Sequence, residues 1–299
     1  MSWKISYFMI VFLLFSIPSS ISQSQTFKPQ EQAFKFLQNL KEVHKGQTVV
    51  GLDEVKKFLI RFGYYPNSYD TRHLNNYFDD QLKFALKKYQ KFFRLNITGS
   101  LGSETIQKMM IPRCGVPDIT DFTSLNQSRD SIIGPLYAFP AGMPKWNKFN
   151  LTYVFLPNVP NSKDVRAAFA QAFVNWQIGS PFRFHEAAAG EIQDLHIGFY
   201  TGDHGDGSPF DGPGNVLAHS FYPSDGRTHY DATENWSTNP ASNQVDVESV
   251  AVHEIGHLLG LAHSQDPKAV MYPTIQYGVI KRVLSPDDVQ GIQTLYPKP

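Results

Sequence analysis

The stretch His253-Glu254-Ile255-Gly256-His257-Leu258-Leu259-Gly260-Leu261-Ala262-His263 decides how the rest of the chain is read. The run before it, Val247 to Val252, is helix-compatible and almost wholly apolar, which predicts a buried helix leading into the motif. On such a helix His253 and His257 stand one turn apart on one face and can grip a single ion together. An unbroken helix would turn His263 away from that face. Gly260 supplies the break, because glycine leaves a helix readily in a left-handed conformation and lets the chain return toward the ion. Three neutral imidazoles leave one tetrahedral corner for water, which separates a catalytic zinc from a closed structural one. Glu254, beside the first ligand, is placed to receive that water's proton.

Working outward, the same chain carries one cysteine, Cys114, which has no internal partner for a disulfide. It sits in Pro112-Arg113-Cys114-Gly115-Val116-Pro117-Asp118, and a thiolate there is a good soft ligand for zinc. Downstream of the histidines come Ser264 and Val270-Met271-Tyr272-Pro273. Together these segments resemble the matrixins, the matrix metalloproteinases, and the likeness is nearest to plant members that have no haemopexin-like domain. The resemblance implies an α+β fold: a metzincin-type catalytic domain, with a twisted, mostly parallel sheet and three helices, preceded by a small helical-bundle prodomain similar to peptidoglycan-binding modules. It also implies roles. Met271 would form a methionine turn under the zinc, Cys114 would be the inhibitory fourth ligand of a zymogen, and Arg113 and Asp118 would pair to brace that switch.

By the same likeness His204, Asp206, His219 and His229 would hold a second, structural zinc. Asp211, Asp231 and Glu234, with backbone carbonyls of Gly212, Gly214 and Val216, would hold calcium, for which hard oxygen donors are suited. The loop Pro223-Ser224-Asp225-Gly226-Arg227-Thr228 is shorter than in typical animal matrixins. That leaves Asp194 as the candidate for a further calcium. Asp287 or Asp288 would meet the new N-terminal amine after activation. The stretch from Val270 to Val283, with Ile275 in it, would wall an apolar pocket taking a bulky hydrophobic residue just after the cut. His44, His73, His185 and His196 match no metal motif and read as structural.

The bulk properties set the frame. A chain of 299 residues that is 41% hydrophobic can bury a real core, and 27 basic against 27 acidic residues favour neither nucleic acid nor an anionic membrane as partner. Lys4, the apolar run Ile5 to Ile17 and the small residues Ser20-Ile21-Ser22 read as a removable secretion signal over 1–22. The run is too short for a membrane span, and the ending Tyr296-Pro297-Lys298-Pro299 lacks the apolar tail of a C-terminal lipid anchor. Sequons at Asn96, Asn126, Asn150 and Asn235 fit a secretory route.

Helical periodicity through Val55, Phe58, Leu59 and Phe62, then Leu82, Ala85, Leu86, Tyr89 and Phe93, then Ile106, Met109 and Met110, predicts a helical unit over 23–118. Residues 119–148 are polar and broken by Gly134-Pro135, Pro140, Gly142 and Pro144, and read as a linker holding the activating cleavage. From 149 to 299 strands alternate with helices: Leu151 to Leu156, Phe182 to His185, Leu195 to Phe199 and Val216 to Tyr222 as strands, a helix capped by Ser162, and a last helix capped by Ser285.

The expectation is a secreted, monomeric zymogen of a zinc endopeptidase acting on extracellular proteins, in the apoplast or an extracellular matrix, and opened by another protease or by itself. The alternative, a secreted matrix or cell-wall binding protein with a merely structural metal, leaves Glu254 without a purpose, since a structural zinc needs no general base.

Overall fold

The computed structural model describes residues 35–66, 72, 74–119, 135–160 and 162–297. The expected signal over 1–22, the centre of the linker, Asn126 and His73 lie outside them.

The N-terminal unit holds a short helix α1 (Lys35–Gln38), then α2 (Leu52–Arg61), α3 (Asp80–Phe92) and α4 (Ser103–Met109). Its apolar faces are those the periodicity predicts: Val55, Leu59, Phe62, Leu82, Ala85, Leu86, Tyr89, Ile106 and Met109 are all buried in one cluster. The Asp79 side chain starts α3 by accepting from the Leu82 amide at 2.7 Å. Lys56 is fully buried, yet its Nζ reaches the Asp79 carboxylate, the Asn75 side chain and the Tyr77 carbonyl, so its charge is compensated.

The C-terminal unit is an α+β body. Strands β1 (Arg113–Cys114), β2 (Asn150–Phe155), β3 (Arg183–Glu186), β4 (Leu195–Tyr200), β5 (Val216–Ser220) and β6 (Arg227–Asp231) form one sheet in the order β1-β5-β6-β4-β2-β3. Every neighbouring pair is parallel except β5 with β6. A small pair, β7 (Trp236–Ser237) and β8 (Val245–Asp246), lies apart. Three helices complete it: α5 (Lys163–Gly179), α6 (Val247–Leu258) and α7 (Pro286–Leu295).

Helix α6 is buried at every position, its polar members Glu248, Ser249, His253, Glu254 and His257 included. It packs on α5, where Trp176 Nε1 donates to the Val252 carbonyl at 2.7 Å. Ser285 closes a capping box with Asp288 at the start of α7. The second half of the expected linker lies against this body: Trp146 is in its core, with its indole N–H on the Leu258 carbonyl at 2.7 Å, and Ala138 bridges Ala262.

Four strands are not legible in the sequence: the two-residue pair β7 and β8, and two members of the main sheet. Arg227–Asp231 hides because Thr228, His229 and Asp231 are polar yet buried, which defeats an alternation test. Arg113–Cys114 is too short for any pattern, and it is the segment that joins the two units.

Candidate metal centres

Helix α6 presents His253 and His257, and Gly260, at φ 100°, turns the chain back to deliver His263. A side chain at Gly260 would also meet the Pro144 carbonyl at 2.6 Å. The three imidazoles and the Cys114 thiol form a buried cluster of donor atoms lying within 4.8 Å of one another. His253 Nε2 and His257 Nε2 are 3.1 Å apart, and Cys114 Sγ is 3.4 Å from His257 Nε2.

The other ring nitrogens fix the tautomers. His253 Nδ1 lies 2.7 Å from the Val270 carbonyl, His257 Nδ1 2.7 Å from the Leu261 carbonyl, and His263 Nδ1 2.8 Å from Asp118 Oδ1. Each Nδ1 therefore carries the proton, and each Nε2 turns a lone pair inward. His263 Nε2 is buried without a partner. Burial first, then the charges of neighbouring groups, holds His253 and His257 well below the usual imidazole range, and burial lowers His263 against the opposing pull of Asp118. Neutral imidazoles converging on a buried point with a thiol are what a zinc ion requires. Burial, and then the charge of Glu254, pushes the Cys114 thiol well up, so a thiolate in this place needs a cation beside it.

Met271 lies beneath the cluster. Its sulfur comes so close to α6 that a Cβ on Gly256 would meet it at 2.2 Å, which explains the glycine within the motif. Asp288 fixes the turn by accepting from the Val270 and Met271 amides at 2.8 and 3.0 Å.

The peptide from Pro112 to Gly115 is held as an added strand. The Arg113 amide donates to the Asn215 carbonyl and the Gly115 amide to the Ala218 carbonyl on one side, while Cys114 and Ile275 amides bond Pro273 and Pro112 carbonyls on the other. Arg113 is fully buried: its Nη2 pairs with Asp118 Oδ1 at 2.6 Å and its guanidinium lies 3.4 Å from the Phe62 ring centre. Asp118 also accepts from the Tyr64 hydroxyl at 2.6 Å. One carboxylate, Asp118, thus joins Arg113 beside Cys114 to a histidine of the cluster, a link the sequence did not disclose.

The second cluster is His204, Asp206, His219 and His229. Asp206 Oδ2 lies 2.9 Å from His204 Nε2, 2.7 Å from His219 Nε2 and 2.8 Å from His229 Nδ1. Burial opposes ionisation of Asp206, but the Ser208 amide and the histidines overcome it and hold the carboxyl well below its ordinary value. Burial depresses His219 to about 4 and lowers His229. Three nitrogens and one carboxylate suit a closed zinc site.

Asp211, Asp231 and Glu234 lie near one another at a loop where Gly212 and Gly214 take φ of 85° and 91°. Burial pushes Asp211 up to about 6 and Glu234 to about 8, the latter helped by the charges of Asp231 and Asp211. Asp231 Oδ2 is buried without a partner. The carboxylate oxygens of Asp211, Asp231 and Glu234 are hard donors, although among the described residues they do not gather within 4.8 Å of one another as the two histidine clusters do. Asp194 is not among them: it is paired with Lys148 Nζ at 2.7 Å and accepts from the Thr152 amide at 2.9 Å.

A cavity beside His253 and Glu254 is lined by Leu217, Val250, Val270, Tyr272 and Ile275, as the expected apolar pocket requires, but Ser249, Thr274 and Lys281 line it too. Val270 and Ile275, from the stretch expected to wall an apolar pocket, are among these lining residues, and polar side chains stand beside them.

Of the sequons, Asn96, Asn150 and Asn235 are exposed. His185 makes a surface contact with Glu191 at 2.8 Å, and neither it nor His44 or His196 joins a metal cluster among the described residues.

A buried triad of imidazoles on a helix and its return, an adjoining glutamate and a methionine turn define a metal-dependent hydrolase site. The sequence matches the family described as Matrixin over residues 145–297 and that described as Putative peptidoglycan binding domain over residues 50–109. The chain belongs to the matrixin family of zinc metalloendopeptidases. It is 44% identical to Metalloendoproteinase 2-MMP of Arabidopsis thaliana over 86% of this chain and 74% of that protein. To Metalloendoproteinase 1 of Glycine max it is 40% identical over 96% and 94%. To Neutrophil collagenase of Homo sapiens it is 40% identical over 81% of this chain and 49% of the relative.

Proposed function

We propose that this chain is the secreted, latent precursor of an endopeptidase that cuts internal peptide bonds of extracellular proteins, with Glu254 as general base and Cys114 as the group that imposes latency. The observation that carries the reading is the Cys114 sulfur, 3.4 Å from His257 Nε2, lying at the fourth corner of the three-histidine cluster with Glu254 lining the same cavity.

Zinc held by His253, His257 and His263 would polarise the scissile carbonyl and lower the pKa of a water molecule. Glu254 then takes a proton as water attacks and passes it to the departing amide nitrogen. Burial pushes Glu254 up to about 7, against the hydrogen bond of Ser220 and the influence of the Cys114 thiol nearby, which suits a group that must both accept and release a proton near neutrality. The backbone of Ala218 on β5 and of Pro273 on the facing segment, which now hold the switch peptide, offers a substrate strand the same hydrogen bonds after the switch leaves.

The signal over 1–22 directs the chain into the secretory route and is removed there, and Asn96, Asn126, Asn150 and Asn235 are glycan acceptors on that route. Activation cuts within 119–148. Asp287 is the partner for the new terminus rather than Asp288, because its Oδ1 already accepts from the Leu136 and Tyr137 amides at 2.7 and 3.0 Å, while Asp288 is buried and committed to the methionine turn. His204, Asp206, His219 and His229 take the structural zinc, and Asp211, Asp231 and Glu234 take calcium. No helix among the described residues is long and apolar enough to cross a membrane.

Glu254→Ala should retain two zinc ions per chain while peptide hydrolysis, after the thiol is blocked with an organomercurial, falls by about a thousandfold or more. Turnover within a few fold of the parent would overturn the assignment of the base.

A further inference from the structure

The two oxygens of Glu254 stand in unequal surroundings. Oε2 lies 2.7 Å from Ser220 Oγ, at the last position of β5, and Ser220 Oγ lies 2.7 Å from Thr228 Oγ1 on β6. Ser220 and Thr228 are partners in the antiparallel register of these strands. Glu254 Oε1 makes no hydrogen bond, although it is buried. All three residues are screened from solvent, with Glu254 at 0%, Thr228 at 1% and Ser220 at 6% exposure.

The proton inventory orients the chain of contacts. An ionised carboxylate only accepts, so Ser220 gives its single proton to Glu254 Oε2, and the same hydroxyl rests 2.7 Å from Thr228 Oγ1. A relay of two hydroxyls, each fixed by a strand of the same sheet, therefore clamps one oxygen of the glutamate. The neighbours on β5 and β6, Leu217, Ala218 and Tyr230, are core residues.

We propose that Ser220, backed by Thr228, is a positioning residue for the hydrolysis: it holds Oε2 of Glu254 and so presents Oε1 toward the place where water and the scissile bond react. This rests on Glu254 being the general base. A glutamate has three side-chain torsions, and a reacting atom displaced by about 1 Å costs on the order of a hundredfold in rate. A fixed donor on the non-reacting oxygen removes that freedom without contacting substrate.

The test uses the full chain with Cys114 blocked by an organomercurial, carrying Ser220→Ala, Ser220→Thr or Glu254→Ala. Zinc content, kcat and KM on a fluorogenic peptide, and the affinity of a peptide hydroxamate measured by calorimetry are compared. A hydroxamate chelates zinc and sets a proton-bearing group against the glutamate, so its affinity reports the carboxylate's position without turnover. For Ser220→Ala the expected result is full zinc content, KM within twofold, kcat lower by roughly tenfold and hydroxamate binding weaker by a similar factor, with Thr restoring both. Unchanged kcat and hydroxamate affinity in Ser220→Ala, beside an inactive Glu254→Ala, would overturn the clamp and leave the base intact. Loss of zinc in Ser220→Ala would overturn it in favour of a structural role. An active Glu254→Ala would instead strike the reading on which the clamp rests.

Discussion

The two metal-ligand clusters set the same demand, four donors about one point, and answer it from different parts of the chain. His204, Asp206, His219 and His229 come from one loop and the two strands that follow it, and the carboxylate touches all three imidazoles. His253, His257 and His263 come from a helix and its return, and their fourth donor, Cys114, is 143 positions from His257. A shell closed by a near neighbour is permanent. One closed by a distant segment can be opened by moving that segment, and the corner it vacates is where chemistry begins.

Breaking the removable corner should give the largest effect. Cys114→Ser in the uncut chain removes the sulfur while leaving Arg113, Asp118 and the strand pairing in place. Peptidase activity of the unprocessed protein is expected to rise on the order of a hundredfold, the change that opens a site held closed about 99% of the time. Initial rates on a fluorogenic peptide before any cleavage of the chain check this. Latency equal to the parent's would mean that the prodomain blocks the cleft by its bulk alone.

Breaking the permanent shell should act on stability. Asp206→Ala takes away the contact shared by His204, His219 and His229, and is expected to lower the zinc content from two ions to one and to cost about 3 kcal/mol of stability. Metal analysis and thermal unfolding measure both. Two retained zinc ions with an unchanged Tm would show that Asp206 does not close a metal shell.

What the sequence discloses follows the same division. Ligands at fixed spacing on one helix are legible, because backbone geometry converts the spacing of His253 and His257 into a shared face, and Gly260 announces the turn that brings His263 back. The helical prodomain is legible because a 3.6-residue period survives in Val55, Leu59, Leu82 and Leu86. Contacts made across elements leave no such trace. Nothing near Asp118 reveals that it bonds His263, nothing near Ser220 reveals Glu254, and Arg113–Cys114 joins the sheet through backbone atoms that any residue carries. The buried strand Arg227–Asp231 is hidden by the same cause: His229 and Thr228 turn inward to meet Asp206 and Ser220, beside Tyr230 in the apolar core.

The smallest expected effect sharpens the comparison at the cavity beside the openable site. Lys281 lines that cavity, and burial depresses it to about 8, with the charges of Asp288 and Asp266 opposing and Lys108 adding to the shift. Below about 8 the lysine is charged in the folded and unfolded chain alike, and the folded state bears the full cost of burying it. Between about 8 and its ordinary value of 10.5 the unfolded chain binds more protons, so stability rises with pH across that window. Lys281→Met should therefore stabilise the protein at neutral pH, on the order of 1 kcal/mol after screening, and the gain should shrink as pH rises through the window. The same variant should lower the ratio of cleavage at Glu to cleavage at Leu immediately after the scissile bond by about tenfold, since an ammonium in the cavity attracts an acidic side chain that methionine does not. Denaturation curves at several pH values and a paired peptide assay decide it; a ratio that stays put would show that the ammonium turns away from the substrate.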